Sequence, residues 1–279
     1  MSVLASFYFL QMKPEDNYIE INKNSWKNIL IIFVLLASPL LLFAQRIEKH
    51  NSGEIINWKE FEINNNKWGT YKIKKGTYDQ SIFLENDMPG WRWKTPGKSY
   101  GVLGYPMIFL GTSAWYKLNE IKSDNYFKNL EEIKSFNVDY KTDLKVDDKK
   151  YNLAFDFWLH NSPKVAFETI GAEVMIWEDY NKFKPFGKKQ GKLTTSNGQY
   201  EVYTGKIFKK ELNKGWDYIA FVRLNKRRSG KLILMEFINY MKEHNLYKNN
   251  SYLSSFEFGT EILTSTGEIK ILQYEVEIK

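Results

Sequence analysis

Three stretches of the 279-residue chain place a carboxylate inside an apolar alternating pattern, where an unused charge is costly. In GAEVMIWEDY (171–180), Glu173, Met175 and Trp177 share one face of a strand, and Val174 and Ile176 share the other. In NLAFDFWLH (152–160), Asp156 and Trp158 face away from Phe155 and Phe157. In SSFEFGTEIL (254–263), Glu257 and Glu261 face away from Phe256, Phe258 and Ile262, and Gly259 between them lets another group approach the backbone. If these faces line one cleft, Asp156, Glu173 and Glu261 converge there. Two carboxyls across a sugar-sized gap can break a glycosidic bond. One stays ionised to attack the anomeric carbon, and the other holds a proton for the leaving oxygen. The plainer alternative is that each acid pairs with one of the 40 Lys and Arg residues.

The elements that must position these acids are mostly strands. Alternation and β-branched or aromatic content predict strands over 59–68, 69–75, 100–111, 136–143, 152–160, 172–179, 198–207, 216–224, 254–263 and 268–278. Asp147-Asp148 and Asn197-Gly198 mark turns. Only 230–247 has helical spacing, with Leu234, Ile238 and Met241 at i, i+4 and i+7 and Ser229 as its cap. Many strands and one helix predict an all-β, two-sheet sandwich of jelly-roll type with the helix on its convex side.

Composition removes several other chemistries. The absence of cysteine excludes thiol nucleophiles, zinc–thiolate sites and disulfides. His50, His160 and His244 lie far apart and form no zinc-binding motif. Aromatic residues make up 16%, which suits a β-rich fold or a surface that stacks on flat ligands. The net charge of +7 is spread along the chain, which argues against a nucleic-acid stripe. Its one tight cluster, Lys226-Arg227-Arg228, reads as a solvated turn.

The N-terminus has a different character. ILIIFVLLASPLLLFA (29–44) follows Lys23 and Lys27 and ends in Ala44 before Gln45. It is short for a membrane span, which needs about 20 residues. It therefore reads as a secretory signal, with translation from Met12 shortening its long leader, or as an uncleaved anchor. Residues 1–44 are assigned to this segment and 45–279 to a catalytic domain that is secreted or extracytoplasmic.

From Trp58 onward the chain resembles glycoside hydrolase family 12, the compact jelly-roll endoglucanases. The resemblance rests on NNNKWG (64–69), WRW (91–93), GYPMIFLG (104–111), YNLAFDFWL (151–159), EVMIW (173–177), PFG (185–187) and FGTE (258–261), in order. It implies that Glu173 is the nucleophile, Glu261 the general acid/base, and Asp156 a hydrogen-bonding support for Glu173. Asn66 and Trp68 would hold a glucosyl unit, and Met175 would form part of the cleft floor. The residue pattern alone leaves Trp68 open to a core position and Met175 to simple packing, and it does not separate core from cleft for Trp91, Trp93 and Trp177. The implied activity is retaining, endo-acting hydrolysis of β-1,4-glucans, with no metal or organic cofactor. A β-glucan chain is the expected partner, with no nucleic acid, no membrane beyond the N-terminal segment, and a monomeric protein. The competing reading is a lectin-like sandwich that binds β-glucan without turnover. Departures from the family pattern are the missing disulfide, EIL (261–263) in place of a Pro-containing run, and Glu178 where an apolar residue is common. Glu178 is expected either at the surface or as a group that tunes Glu173.

Overall fold

The computed structural model describes residues 46–98, 101–115, 128–210 and 213–279. Strands dominate because β-branched and aromatic side chains alternate through most segments. In chain order they are β1 (Arg46–Lys49), β2 (Ile55–Trp58), β3 (Phe61–Asn64), β4 (Asp79–Glu85), β5 (Met88–Lys94), β6 (Met107–Gly111), β7 (Lys128–Asn129), β8 (Phe136–Val146), β9 (Tyr151–His160), β10 (Ile170–Asn181), β11 (Lys188–Thr195), β12 (Gly198–Lys209), β13 (Lys214–Arg223), β14 (Ser229–Ile233), β15 (Tyr252–Ile262) and β16 (Thr266–Ile278). Among the described residues one α-helix, α1 (Leu234–Glu243), falls between β14 and β15.

The strands form two sheets. The smaller has the order β1-β4-β5-β16-β8-β14, and the larger β11-β12-β13-β10-β9-β15-β6-β3-β2, with β7 paired to β15. Neighbours are antiparallel apart from β10 and β13, which run parallel. This is the expected jelly-roll sandwich. Its core is the set of odd-numbered β9 and even-numbered β10 and β15 side chains packed on the smaller sheet. Phe155 stacks on Phe258 at 4.3 Å, and Tyr140 of β8 meets both rings edge-on. Each such buried ring contributes on the order of 2–3 kcal/mol by burial. Trp91 and Trp93 belong to this core, their indoles donating to Thr260 Oγ1 and Ser265 Oγ. The helix covers the same face of the larger sheet, with Phe237 edge-on to Tyr200 and Phe221. That face is opposite the acids, as expected of a helix on the convex side.

Several boundaries differ from the sequence reading. The helix starts at Leu234, because Ser229–Ile233 instead pairs with β8 from Lys141 to Asn137. Hydrophobic spacing cannot reveal that an edge strand is waiting for a partner. Residues 69–75 contain a single 3-10 turn at Thr70–Lys72 rather than a strand. There Gly69 lies so close to Leu103 that its amide bonds the Leu103 carbonyl and a Cβ would strike the Val102 oxygen. The 100–111 strand begins only at Met107.

The basic triplet is only in part a solvated turn, since Lys226 and Arg228 are exposed but both arginines reach buried acids, and Glu178 is neither at the surface nor beside Glu173. Alternation turns Glu178 to the core face, at a register shift between Trp177 and Asp179. There it is fully buried, accepts hydrogen bonds from Tyr140 and Tyr200 at 2.7 Å each, and is ion-paired by Arg227. Asp179 is held in the same way by Arg228 at 2.6 Å and Tyr151 at 3.1 Å. Arg227 and Arg228 thus bolt the end of β10 to the segment leading into β14.

The described strands all belong to one unit, Ala44–Lys279. Among the described residues no helix is long and apolar enough to cross a membrane. The signal or anchor assigned to residues 1–44 lies outside the described residues.

Candidate active site

Adjacent strands set the acids in rows across the face of the larger sheet that points away from the core. The pairing registers give Ser255–Trp158–Glu173–Tyr218 as the first row and Glu257–Asp156–Met175–Ala220 as the second. Gly259–Ala154–Trp177–Val222 forms the third, and Glu261 faces Asn152 in the fourth. Glu173 and Glu261 therefore flank two middle rows whose members are mostly small or apolar. Glycine at 259 is required there, because a Cβ would sit 2.8 Å from the Tyr105 ring and 2.7 Å from the Pro106 carbonyl. Tyr105 lies across this gap with its hydroxyl donating to the Ala154 carbonyl at 3.0 Å.

Burial raises the pKa of every acid in the group, and the charge of Glu173 adds to it for Asp156, Glu257 and Glu261. Glu173 is pushed up to about 7 by burial, against the pull of the Trp216 indole and the Lys209 charge. The indole Nε1 donates to Glu173 Oε2 at 2.8 Å. Glu261 is pushed up to about 8 by burial and by the charge of Glu173, with Asn152 opposing. Asn152 clasps it from both ends: its Nδ2 donates to Oε2, and its Oδ1 accepts from the Glu261 amide at 3.0 Å. Glu257 also rises to about 8, by burial and then the charge of Glu173. Asp156 rises well above the ordinary range through burial, then Glu173, Glu257 and Glu261, and its buried Oδ1 has no hydrogen-bond partner. Four carboxyls so placed cannot all ionise near neutrality. Of the three glutamates, Glu173 has the lowest pKa and is the one favoured as the anion.

Aromatic groups frame the acids. Trp216 is packed by Trp115 at 5.5 Å and Trp158 at 5.8 Å, with Phe167 at 5.1 Å from Trp115. The Tyr218 hydroxyl meets Met175 Sδ at 3.4 Å. Phe186 of the PFG segment stands edge-on to Tyr218 at 5.8 Å, so that segment does reach the acidic face. Trp68 is 50% exposed, which rules out the core position left open for it. Its loop is fastened near Glu261. The Asn66 carbonyl accepts from the Tyr105 amide, and Gly104 pairs with Ile262. Met175 and Trp177 are buried, but on the acidic face. Among the described residues no group of His, Asp and Glu is arranged to hold a metal ion.

Residues 59–279 match the sequence profile of glycosyl hydrolase family 12. The chain belongs to that family. It is 27% identical over 224 residues to endoglucanase S of Pectobacterium parmentieri, covering 79% of this chain and 82% of that one. Its fold superposes on a family 12 xyloglucanase from Bacillus licheniformis in complex with ligand, with a TM-score of 0.74 at 25% identity, over 84% of this chain and all of the other. Endoglucanase 3 of Trichoderma harzianum shares the fold at a TM-score of 0.69 and 18% identity, over 85% and 99% of the two chains. The family 12 chain is thus a glycoside hydrolase of β-sandwich architecture.

On its acidic face, Asp156, Glu173, Met175 and Glu261 stand together, and Asn66 and Trp68 enter on a loop at the Glu261 side. Sequence reasoning missed Glu257 as a member of the cluster, although it shares a face with Glu261. It also missed Asn152, Tyr105, Tyr218 and Trp216. In WDYIAFVRL (216–224), Trp216 and Tyr218 visibly share a face, but nothing in the sequence states that this strand runs parallel beside β10.

Proposed function

We propose that this family 12 hydrolase is an exported, endo-acting, retaining β-1,4-glucanase acting on cellulose-type, mixed-linkage or xyloglucan chains. The observation that carries the reading is the placement of Glu173 and Glu261 on one face of the sheet, on either side of the rows that hold Asp156, Glu257, Met175 and Trp177, with the charge of Glu173 raising the pKa of Glu261. An ionised nucleophile thereby keeps its partner protonated. Glu173 attacks the anomeric carbon while Glu261 gives its proton to the leaving oxygen, and a covalent glycosyl-enzyme forms. Esterification removes the charge of Glu173, so the pKa of Glu261 falls. Glu261 then takes a proton from water, whose oxygen attacks the same carbon and releases the sugar with retained configuration. Asp156, held toward its neutral form by burial and by the charge of Glu173, is assigned the support of Glu173. Trp68 supplies a ring face for stacking and Asn66 a polar side chain beside it. The names of the relatives, an endoglucanase and a xyloglucanase, support the substrate range.

The test is hydrolysis of carboxymethyl cellulose, barley β-glucan and xyloglucan, following viscosity and new reducing ends together. Endo action predicts an early fall in viscosity. Binding of all three polymers with no new reducing ends would reject the enzyme reading in favour of a lectin-like protein. Export is proposed from the apolar run 29–44, and the N-terminal sequence of secreted protein should begin near Gln45. Membrane-bound material that retains Met1 or Met12 would point to an anchor instead.

A further inference from the structure

We infer that Trp216 is the positioning residue of the nucleophile, its indole N–H fixing Glu173 Oε2 so that the other oxygen is presented to the anomeric carbon. The inference rests on the reading of Glu173 as nucleophile. The indole donates at 2.8 Å and is 3% exposed. Its orientation is set from outside the catalytic pair. Trp115, Trp158 and Phe167 surround it at 5.5, 5.8 and 6.2 Å, the contacts being tilted or edge-on. Lys209 sits over the Trp115 ring at 4.4 Å and over the Trp216 ring at 5.9 Å, so the cluster carries a cation on its outer side.

The choice of an indole has a chemical reason. An Arg or Lys paired directly with Glu173 would hold it ionised but would compete for the electron pair needed for attack. The indole N–H is neutral and donor-only, so it orients one oxygen without neutralising the group. After attack, the oxygen it holds becomes the ester carbonyl, which still accepts the same hydrogen bond. The contact therefore persists through both half-reactions. The other titratable groups facing Glu173 are Asp156 of β9, Glu257 and Glu261 of β15 and Tyr218 of β13, with Lys209 at the end of β12. Asp156, Glu257 and Glu261 oppose its ionisation, whereas the indole and Lys209 favour it.

The experiment is Trp216→Phe in the full chain, which keeps a ring and deletes the donor. On soluble β-glucan, kcat should fall about ten- to a hundredfold, the range for one hydrogen bond to a charged group. KM should change less than twofold. The acidic limb of kcat/KM should move to higher pH, because Glu173 would keep its proton longer. An unmoved acidic limb, or a loss confined to KM, would overturn the proposal and leave Trp216 as packing or a sugar contact. A second measurement on the wild type holds even if the variant fails to fold. One indole N–H resonance should titrate with Glu173, and that titration should vanish in Glu173→Gln. Absence of any such resonance would also overturn the proposal. Failure of the underlying reading looks different: Glu173→Ala would still hydrolyse β-glucan.

Discussion

Glu173 and Glu261 are the same side chain, and in the proposed mechanism only their surroundings divide the labour between them. Glu173 has an indole donor and a nearby lysine, while Glu261 has an asparagine and the charge of Glu173. Kinetics should expose the difference. Glu173→Ala should lose roughly three or more powers of ten in rate, about 4 kcal/mol in barrier, since no glycosyl-enzyme can form. Azide added to that variant should yield a glycosyl azide of inverted configuration. Glu261→Ala should fail on polysaccharide yet still glycosylate from an aryl glycoside with a good leaving group, and azide should then give retained configuration. Near wild-type rates in both folded variants would refute the assignment. Under the proposed mechanism, activity requires Glu173 unprotonated and Glu261 protonated. The profile of kcat/KM should therefore be a narrow bell, with limbs near pH 7 and pH 8, where burial places Glu173 and Glu261. These limbs belong to the coupled cluster rather than to single residues. Trp68, half exposed, should behave otherwise again: Trp68→Ala should weaken productive binding of polymer while leaving the melting temperature within a degree or two.

At the scale of elements, the strands that carry the clustered acids were the legible ones. In β9, β10 and β15 the pattern of one acid among apolar alternation shows in the sequence, because each face of a strand has its own environment. What the sequence hides is which strands are neighbours. Trp216 reaches Glu173 only because β13 lies parallel to β10, a long-range pairing that leaves no local trace. Glu257 was visible but undecidable, since its role depends on lying opposite Asp156. Glu178 misleads for a related reason. A charge near a strand end reads as surface until its partners, 22 to 49 residues away along the chain, are known. The network it forms should be structural. Glu178→Ala strands Arg227 and two tyrosine hydroxyls in the core, and should cost about 3–5 kcal/mol of unfolding free energy. Denaturant unfolding would measure it. A loss below about 1 kcal/mol would mean that water already reaches the network.

Across the whole molecule, two populations of carboxyls pull stability in opposite directions with pH. Glu85, Glu201 and Glu277 are held below the usual carboxylate range by hydrogen bonds from Lys270, Lys189 and Lys279. Their contribution is present above their unfolded pKa and is lost as pH falls through the folded value. It is modest, because these pairs face solvent. The buried cluster acts the other way. Asp156, Glu173, Glu257 and Glu261 all have raised folded-state pKa values. Their contribution is complete below about pH 4, near the unfolded values, and is lost as pH climbs through 7 and 8, where the fold must hold several buried anions together. The fold should therefore be most stable near pH 5, two or more units more acidic than the pH at which the enzyme works fastest. Thermal unfolding from pH 4 to 9 should show the melting temperature falling across the very range in which activity rises. Glu257→Gln isolates the cause, since it removes one member of the cluster and keeps its shape. Relative to wild type it should gain stability between pH 5 and pH 8.5 by on the order of 4 kcal/mol. A variant whose stability ran parallel to wild type across that range would show that Glu257 titrates normally, and the cluster would then owe its alkaline instability to the remaining three acids.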